Sequence, residues 1–160
     1  MKQSPQETAD AMTFASFGLK DSLQQAIKEI GFTTPSPIQQ QVIPLILSGV
    51  DVIAQSQTGT GKTAAFGLPA MHLIDNCKGV GMLVITPTRE LAQQVSDELF
   101  KYGSRSGIRT CSVYGGQSTS RQVEMIRRGA QVVVATPGRL LDLLESGKLP
   151  NFNRFSSKYL

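Results

Sequence analysis

The sequence predicts an α/β fold in which a doubly wound parallel sheet carries helices on both faces. Four short apolar runs, VDVIA, GMLVIT, TCSVY and QVVVAT, are each followed by a polar turn and then by a helical pattern. Repeated strand–turn–helix units of this kind are typical of parallel sheets. A chain of 160 residues with 40% hydrophobic residues can bury one ordinary core, which indicates a single domain.

Two amphipathic helices are predicted before the first apolar run. Residues 1–13 are polar and lack a hydrophobic signal segment, so they are interpreted as a flexible tail. The first helix then carries an apolar stripe at helical spacing and ends at Gly31. Pro37 begins the second helix, and Gly49 ends it. The stripe residues are Leu19, Leu23, Ile27 and Ile30 in the first helix, and Ile38, Val42 and Ile46 in the second.

Four further helices are predicted, one after each apolar run. They are expected to begin at Lys62 and to cover residues 89–102, 118–128 and 139–144. Since all strands of a parallel sheet point the same way, the turns before these helices should lie along one edge of the sheet. Open α/β sheets bind their ligands at that edge. The turns are AQSQTGTGKT, TPTREL, YGGQS and ATPGRL, and all are rich in Gly, Thr, Pro or Arg.

Composition narrows the class of protein only slightly. The net charge of +4 is compatible with nucleic acid but is weak support for it. Cys77 and Cys111 match no metal or redox spacing, so they are interpreted as reduced thiols of a cytoplasmic protein. The one histidine, His72, lies among apolar neighbours and is assigned a structural role. No apolar run reaches the ~18 residues of a membrane span.

The stretch SQTGTGKT is the strongest functional signal. Its glycines allow backbone N–H groups to surround a phosphate, and the following helix adds positive potential. Lys62 would contact the β- and γ-phosphates, and the Thr63 hydroxyl would bind Mg²⁺. The usual pattern G-x-x-x-x-G-K-[ST] has glycine where this chain has Ser56. The alternative is a glycine-rich turn without a ligand.

The stretch GFTTPSPIQ bears on the choice of base. Ser36 and Gln39 fit a helix capping box, in which Gln39 binds the backbone N–H of Ser36. A glutamine amide also matches N7 and N6 of adenine but not the two acceptors of guanine. From these residues alone, both interpretations stay open.

Two other turns combine a helix cap with an arginine. Thr88 can cap the helix that begins at Arg89, and Thr136 can cap a helix with Pro137 at its first position. Each turn presents backbone N–H groups, a hydroxyl and an arginine, which suits a nucleic-acid phosphate. Ordinary capping with solvated arginines explains the same residues.

Six motifs taken together resemble the N-terminal RecA-like lobe of DEAD-box RNA helicases. Phe14, GFTTPSPIQ, SQTGTGKT, PTRELA, GG and TPGR follow one another in the order and spacing of that family, from Phe14 to the end of the chain. The resemblance implies a P-loop NTPase domain over residues 14–160. It also implies that GFTTPSPIQ is the family's Q motif, that Gln39 reads adenine and that Phe14 stacks on it. Phe17 is then interpreted as a packing residue.

The resemblance assigns ATP and RNA to separate residue sets. PTREL, GG and TPGR would grip the sugar–phosphate backbone, so RNA binding should be independent of base sequence. The residues implied for ATP are Phe14, Gln39, Ser56, Gln57, Thr58, Gly59, Thr60, Gly61, Lys62 and Thr63, of which Lys62 and Thr63 would act in catalysis. Those implied for RNA are Pro87, Thr88, Arg89, Glu90, Gly115, Gly116, Thr136, Pro137, Gly138 and Arg139.

The family pattern is incomplete in this chain. Hydrolysis needs an acidic pair at a strand end to hold Mg²⁺ and position water. No such pair follows the apolar runs, and Asp75 and Glu145 are interpreted as solvated helix residues. The D-E-A-D and S-A-T motifs and the second RecA-like lobe are missing, so the lobe is predicted to be truncated. In the family those motifs lie on strands beside the P-loop strand, so the run VDVIA should lack a neighbour and the chain should be only marginally stable.

Three functions are compatible with these features. The first is an ATP-dependent RNA helicase of which this is the N-terminal part, and the isolated chain is expected to be inactive. The second is a non-enzymatic module that binds ATP and RNA without turnover. The third, a small-molecule kinase, would need a lid and a substrate pocket that the sequence does not suggest.

Overall fold

The sheet has three parallel strands. The computed structural model describes residues 12–74 and 78–149, and in this part of the chain β1 is Met82–Ile85, β2 is Thr110–Val113 and β3 is Val132–Ala135. The strand order is β1-β3-β2, with Leu83 and Cys111 both opposite Val133. The predicted tail, residues 1–13, lies outside the described residues except for Met12 and Thr13.

Among the described residues, one short 3₁₀ helix and six α-helices surround this sheet. The 3₁₀ helix, Phe14–Phe17, comes first. The α-helices are α1 (Asp21–Ile30), α2 (Pro37–Leu47), α3 (Lys62–Leu73), α4 (Arg89–Gly103), α5 (Thr119–Arg127) and α6 (Pro137–Glu145). All six predicted helices are therefore confirmed, with bounds that differ by a few residues.

The two faces of the sheet are covered by different helices. In β3, Val132 and Val134 pack with side chains of α1, α3 and α4, whereas Val133 and Ala135 pack with side chains of α5 and α6. All four β3 side chains are fully buried. This alternation follows from the two-residue period of a strand, and it confirms the doubly wound α/β fold.

The predicted first strand, VDVIA, is wrong in this structure. Residues 50–54 belong to no helix or strand, Val50 is half exposed and Ile53 is fully exposed. A strand is stable only where a neighbour satisfies its backbone N–H and C=O groups. None of the three described strands pairs with this run, so it stays outside the sheet.

The predicted helix ends are largely confirmed. Gly31 follows α1 with φ 88°, a left-handed conformation that glycine adopts without steric cost. Pro37 occupies the first turn of α2. The Thr88 hydroxyl accepts a hydrogen bond from the Leu91 N–H at 3.2 Å. Thr136 precedes α6 as predicted, but its side chain makes no capping hydrogen bond.

His72 makes a structural contact, as predicted, and Cys111 is a free thiol, also as predicted. Nδ1 of His72 accepts a hydrogen bond from the backbone N–H of Lys20 at 3.3 Å, which ties α3 to the segment before α1. Cys111 lies in β2, and burial raises the pKa of its thiol to about 12, so the reactive thiolate form is disfavoured. Cys77 lies outside the described residues.

The helices of the described chain are short. Among residues 12–74 and 78–149, none combines the length and the apolar character that a membrane crossing requires.

Candidate functional site

The loop SQTGTGKT, residues 56–63, is stabilised by hydrogen bonds among its own residues. The Ser56 and Thr60 hydroxyls share a hydrogen bond at 2.7 Å, and Thr60 Oγ1 also donates to the Gln57 carbonyl at 2.8 Å. Gly59 and Gly61 have φ of 76° and 86°, so each turns the chain in the left-handed region. Contrary to the sequence prediction, this loop follows an irregular segment rather than a paired strand.

Lys62 binds carbonyl groups of the same loop. Its ammonium group donates to the Ser56 oxygen at 2.5 Å and to the Gln57 oxygen at 3.1 Å. These contacts hold the positive charge over the loop, at the N-terminal end of α3. A phosphate group is a stronger acceptor than a carbonyl, so an entering nucleotide can replace these oxygens as the partner of the lysine.

Gln39 joins the GFTTPSPIQ segment directly to the SQTGTGKT loop, residues 56–63, which is the predicted phosphate loop. Its Oε1 accepts from the Ser36 N–H at 2.9 Å, and its Nε2 donates to the Gly61 carbonyl at 3.1 Å. The Ser36 hydroxyl donates to the Thr60 carbonyl at 2.7 Å. Only 5% of the Gln39 surface is exposed. The capping role of Gln39 is confirmed, and its amide also supports the loop beside the expected nucleotide.

Phe14 does not offer an open face to an adenine. Its ring is 4% exposed and belongs to the core that covers one face of the sheet. The ring stacks on Phe32 with 6.0 Å between centroids and meets Phe17 edge to face at 6.1 Å. Phe17 packs against the same core, as expected. The adenine contact of Phe14 stays a prediction that requires this aromatic cluster to open.

Thr63 is the magnesium ligand that the sequence predicts. Thr63 lies in the first turn of α3, next to Lys62, where its hydroxyl could serve as one ligand. Within residues 12–74 and 78–149, no group of three or more His, Cys, Asp or Glu side chains could hold a metal ion. Glu145 is exposed at the end of α6, as predicted, and Asp75 lies outside the described residues.

Backbone hydrogen bonds anchor two of the predicted RNA-binding turns to the sheet. The Thr86 N–H donates to Ala135 O at 2.9 Å, and the Thr136 N–H donates to Val113 O at 3.0 Å. Each turn is therefore tied to the end of the neighbouring strand. As a result, Pro87–Glu90, Gly115–Gly116 and 136–139 begin at the same edge of the sheet, as the sequence predicts.

Arg89 and Glu90 lie beside the GG turn. The Arg89 Nε and Glu90 Oε1 atoms form an exposed ion pair at 2.9 Å, and its hydrogen bond lowers the pKa of Glu90. A β-carbon at Gly116 would lie 3.3 Å from Arg89 Nη1, so the guanidinium packs closely over this glycine. With Tyr114, these residues line a groove of about 420 Å³. Because exposed ion pairs contribute little energy, a phosphate can compete with Glu90 for Arg89.

Arg139 is held by protein acceptors. Its Nη1 donates to the Gln117 carbonyl at 3.2 Å, to Thr119 Oγ1 at 3.0 Å and to Gln122 Oε1 at 3.4 Å. These contacts connect the 136–139 turn with the segment that follows Gly116. The arginine is half buried, so its position is better defined than that of the exposed Arg89.

Four residues to which no sequence motif assigned a role connect the predicted RNA-binding turns. A hydrogen-bonded chain runs from α4 to α6 through the GG turn, and it involves Gln93, Tyr114, Gln117 and Gln122. The glutamines carry no charge and match no motif considered above. The one available signal was Tyr114, an aromatic residue at a strand end immediately before GG.

The family model for DEAD/DEAH box helicases matches residues 36–157 of this chain. The chain belongs to the DEAD/DEAH box helicase family. It is 54% identical over 140 residues to DEAD-box ATP-dependent RNA helicase RhpA of Helicobacter pylori, and the alignment covers 88% of this chain and 28% of the relative. It is 50% identical to RNA helicase CrhR of Synechocystis, with coverage of 86% and 28%. The chain thus spans little more than a quarter of these helicases.

Solved structures of helicase-family proteins have the same fold. A DEAD box protein from Methanococcus jannaschii superposes with a TM-score of 0.81 at 38% identity, covering 87% of this chain and 38% of that chain. A hypothetical ATP-dependent RNA helicase from Sulfolobus tokodaii superposes with a TM-score of 0.74 at 40% identity, covering 82% and 38%. This helicase-family chain therefore corresponds to part of a larger architecture in both structures.

Proposed function

We propose that the full-length protein is an ATP-dependent RNA helicase that acts in the cytoplasm, and that this chain supplies its adenine, phosphate and RNA-backbone contacts. The observation that carries the proposal is the hydrogen bond from Gln39 to Gly61 O. It brings the base-reading candidate into contact with the phosphate loop. A base and its phosphates belong to one ligand, so their sites must be adjacent.

The loop residues fit the triphosphate of ATP. Gly59 and Gly61 give the loop its left-handed turns, α3 directs its N-terminus towards the loop, and Lys62 lies over it. We assign Ser56–Gly61 to phosphate binding through the backbone, Lys62 to the β- and γ-phosphates and Thr63 to Mg²⁺. Mg²⁺ commonly keeps several waters, so one hydroxyl ligand from this chain fits. Bound Mg²⁺ would neutralise the charge that develops on the phosphates during transfer.

Gln39 has the hydrogen-bonding capacity to read adenine while it keeps its contacts with the loop. Because the residue is only 5% exposed, adenine must uncover its free donor and acceptor, as it must uncover Phe14. A glutamine amide has two donor hydrogens and two acceptor lone pairs. The contacts with Ser36 and Gly61 use one of each. The remaining donor and acceptor match N7 and N6 of adenine, whereas guanine presents two acceptors at the equivalent positions.

Replacing Gln39 is expected to remove the preference for adenine. In the full-length protein, Gln39→Ala should reduce the ratio of ATP to GTP affinity towards one, because a good bidentate base contact is worth ~1–3 kcal/mol. Calorimetric titration with both nucleotides measures this ratio. Gln40→Ala is the matched control, since Gln40 binds the Pro35 carbonyl rather than the loop. Equal affinities for ATP and GTP in the unaltered protein would contradict the assignment.

For RNA, we assign the sugar–phosphate backbone to the turns Pro87–Glu90, Gly115–Gly116 and 136–139. Backbone contacts carry no base sequence information. Arginine side chains and the N-termini of α4 and α6 provide the positive potential.

Replacing Arg89 or Arg139 is expected to weaken RNA binding equally for RNAs of unrelated base sequence. Arg89→Ala or Arg139→Ala should reduce affinity about equally for unrelated single strands and lower the slope of log K against log salt by roughly one. Arg128→Ala is the control, because this exposed arginine pairs with Glu124 near the opposite edge of the sheet. Fluorescence anisotropy at several salt concentrations measures both effects. A loss confined to one RNA, or an unchanged slope, would argue against phosphate contacts.

The second candidate is a module that binds ATP and RNA without turnover. One observation favours it for residues 1–160 taken alone: the described part of the chain has no cluster of metal-ligating side chains. Phosphate release stimulated by RNA distinguishes the helicase from the module.

A further inference from the structure

Tyr114 lies where the three RNA-binding turns meet. It follows the last residue of β2 and precedes Gly115. Its side chain is 8% exposed and packs in the core beneath α4. The motif assignments above give this residue no role, although its polar atoms have partners on several elements.

The Tyr114 hydroxyl connects α4 with the GG turn. It donates to Gln93 Oε1 at 2.8 Å and accepts from Gln117 Nε2 at 2.8 Å. A phenolic hydroxyl has one donor hydrogen, and here it is directed at α4. Gln93 lies one helical turn after Arg89, and Gln117 directly follows Gly116. The hydroxyl therefore fixes the distance between the Arg89 turn and the GG turn.

A second set of hydrogen bonds connects Tyr114 with the 136–139 turn. The Tyr114 carbonyl accepts from Gln122 Nε2 at 2.9 Å, and Gln122 Oε1 in turn accepts from Arg139. Gln122 is buried, with 3% of its surface exposed. Arg139 also donates to the Gln117 carbonyl. Gln117 is thus held by Tyr114 through its side chain and by Arg139 through its backbone.

We propose that Tyr114 is a positioning residue that sets the spacing of the Arg89, GG and Arg139 turns for the RNA backbone. Phosphates along a strand have a regular spacing, so a rigid arrangement of the three turns avoids an ordering cost when RNA binds. The inference rests on the proposed RNA-binding function, and it assigns to Tyr114 no direct contact with RNA.

The first test is Tyr114→Phe in the full-length protein. Phenylalanine retains the buried ring and removes only the hydroxyl. We expect the Kd for single-stranded RNA to rise about fivefold or more, because the turns are no longer held at one spacing and must be ordered when RNA binds. The salt slope should not change, because no charge is removed. ATP affinity without RNA should not change either, since no contact of Tyr114 involves the phosphate loop.

The second test is a double-mutant cycle between Gln93→Ala and Gln117→Ala. Both side chains are exposed, so these variants do not depend on repacking the core. Each binds the Tyr114 hydroxyl. If the hydroxyl couples them, their effects on RNA affinity should be non-additive, and the non-additivity should disappear in the Tyr114→Phe background. The cycle in the otherwise unaltered protein decides the matter even if Tyr114→Phe fails to fold.

The outcomes separate this inference from the proposed function. If the unaltered protein does not bind RNA, the proposed function fails. If it binds RNA and Tyr114→Phe lowers the melting temperature while leaving RNA affinity unchanged, Tyr114 is merely structural and the inference is overturned. Additive effects of the two glutamine variants would overturn it as well.

Discussion

A polypeptide of these 160 residues is expected to release no phosphate from ATP, with or without RNA. Lys62 and Thr63 can hold phosphates and one side of a Mg²⁺ ion. The residues that directly follow the three described strands, however, are Thr86, Tyr114 and Thr136, none of which has a carboxylate. An arginine finger alone accounts for ~10³–10⁵ in rate in related P-loop enzymes, and these 160 residues span only 28% of the length of the RhpA relative.

The measurement is phosphate release by the purified polypeptide over a range of RNA concentrations. Binding of a fluorescent ATP analogue in the same sample shows whether the phosphate loop is formed. The full-length protein provides the positive control. Turnover by the 160-residue polypeptide that disappears on Lys62→Ala would contradict the prediction, because it would show that these residues suffice for chemistry.

Replacing Gly61 with alanine is expected to weaken ATP binding more than replacing Gly59, the other left-handed glycine of the same loop. Gly61 has φ 86°, and an added β-carbon would lie 2.2 Å from Gln39 Nε2. The left-handed conformation costs alanine about 1–2 kcal/mol, and turning the Gln39 amide away from the added β-carbon gives up its hydrogen bonds to Ser36 and Gly61, each worth ~1 kcal/mol. The strain is relieved only by moving Gln39 or unwinding the loop. Both belong to the proposed nucleotide site, so ATP affinity should fall at least about tenfold.

Gly59→Ala is the matched control for this substitution. Gly59 has φ 76°, but a β-carbon there would meet nothing within 4 Å. The control therefore includes the backbone cost without the contact with Gln39, and its loss of ATP affinity should be clearly smaller. Calorimetry on both variants makes the comparison. Equal losses would show that the Gln39 contact does not matter for ATP.

The fold could be predicted from sequence where the signal is local. The runs around Val84, Ser112 and Val134 were recognised as strands because each is apolar and bounded by turn residues. The helix caps at Gly31, Pro37 and Thr88 were predicted for the same reason, since capping depends on a few adjacent residues. Because these strands were predicted to be parallel, the three motif turns that follow them were predicted to lie at one edge of the sheet.

Only the tertiary structure decided the features that depend on contacts with residues far away in the sequence. VDVIA has the composition of a strand, but strand formation requires a neighbour, and none of the described strands pairs with it. The position of Phe14 matched the motif, yet its ring is buried against Phe32.

Sequence by itself determined which groups this chain can offer to a nucleotide or to RNA, because the roles proposed for the glycines, for Lys62 and Thr63 and for Arg89 and Arg139 follow from residue type and spacing. How these groups are held was decided only in the folded chain. The contacts of Gln39 with the phosphate loop and of Tyr114 with Gln93 join residues 22 and 21 positions apart. Neutral hydrogen bonds between distant residues leave no periodicity or charge pattern in a sequence, so packing alone could bring these partners together.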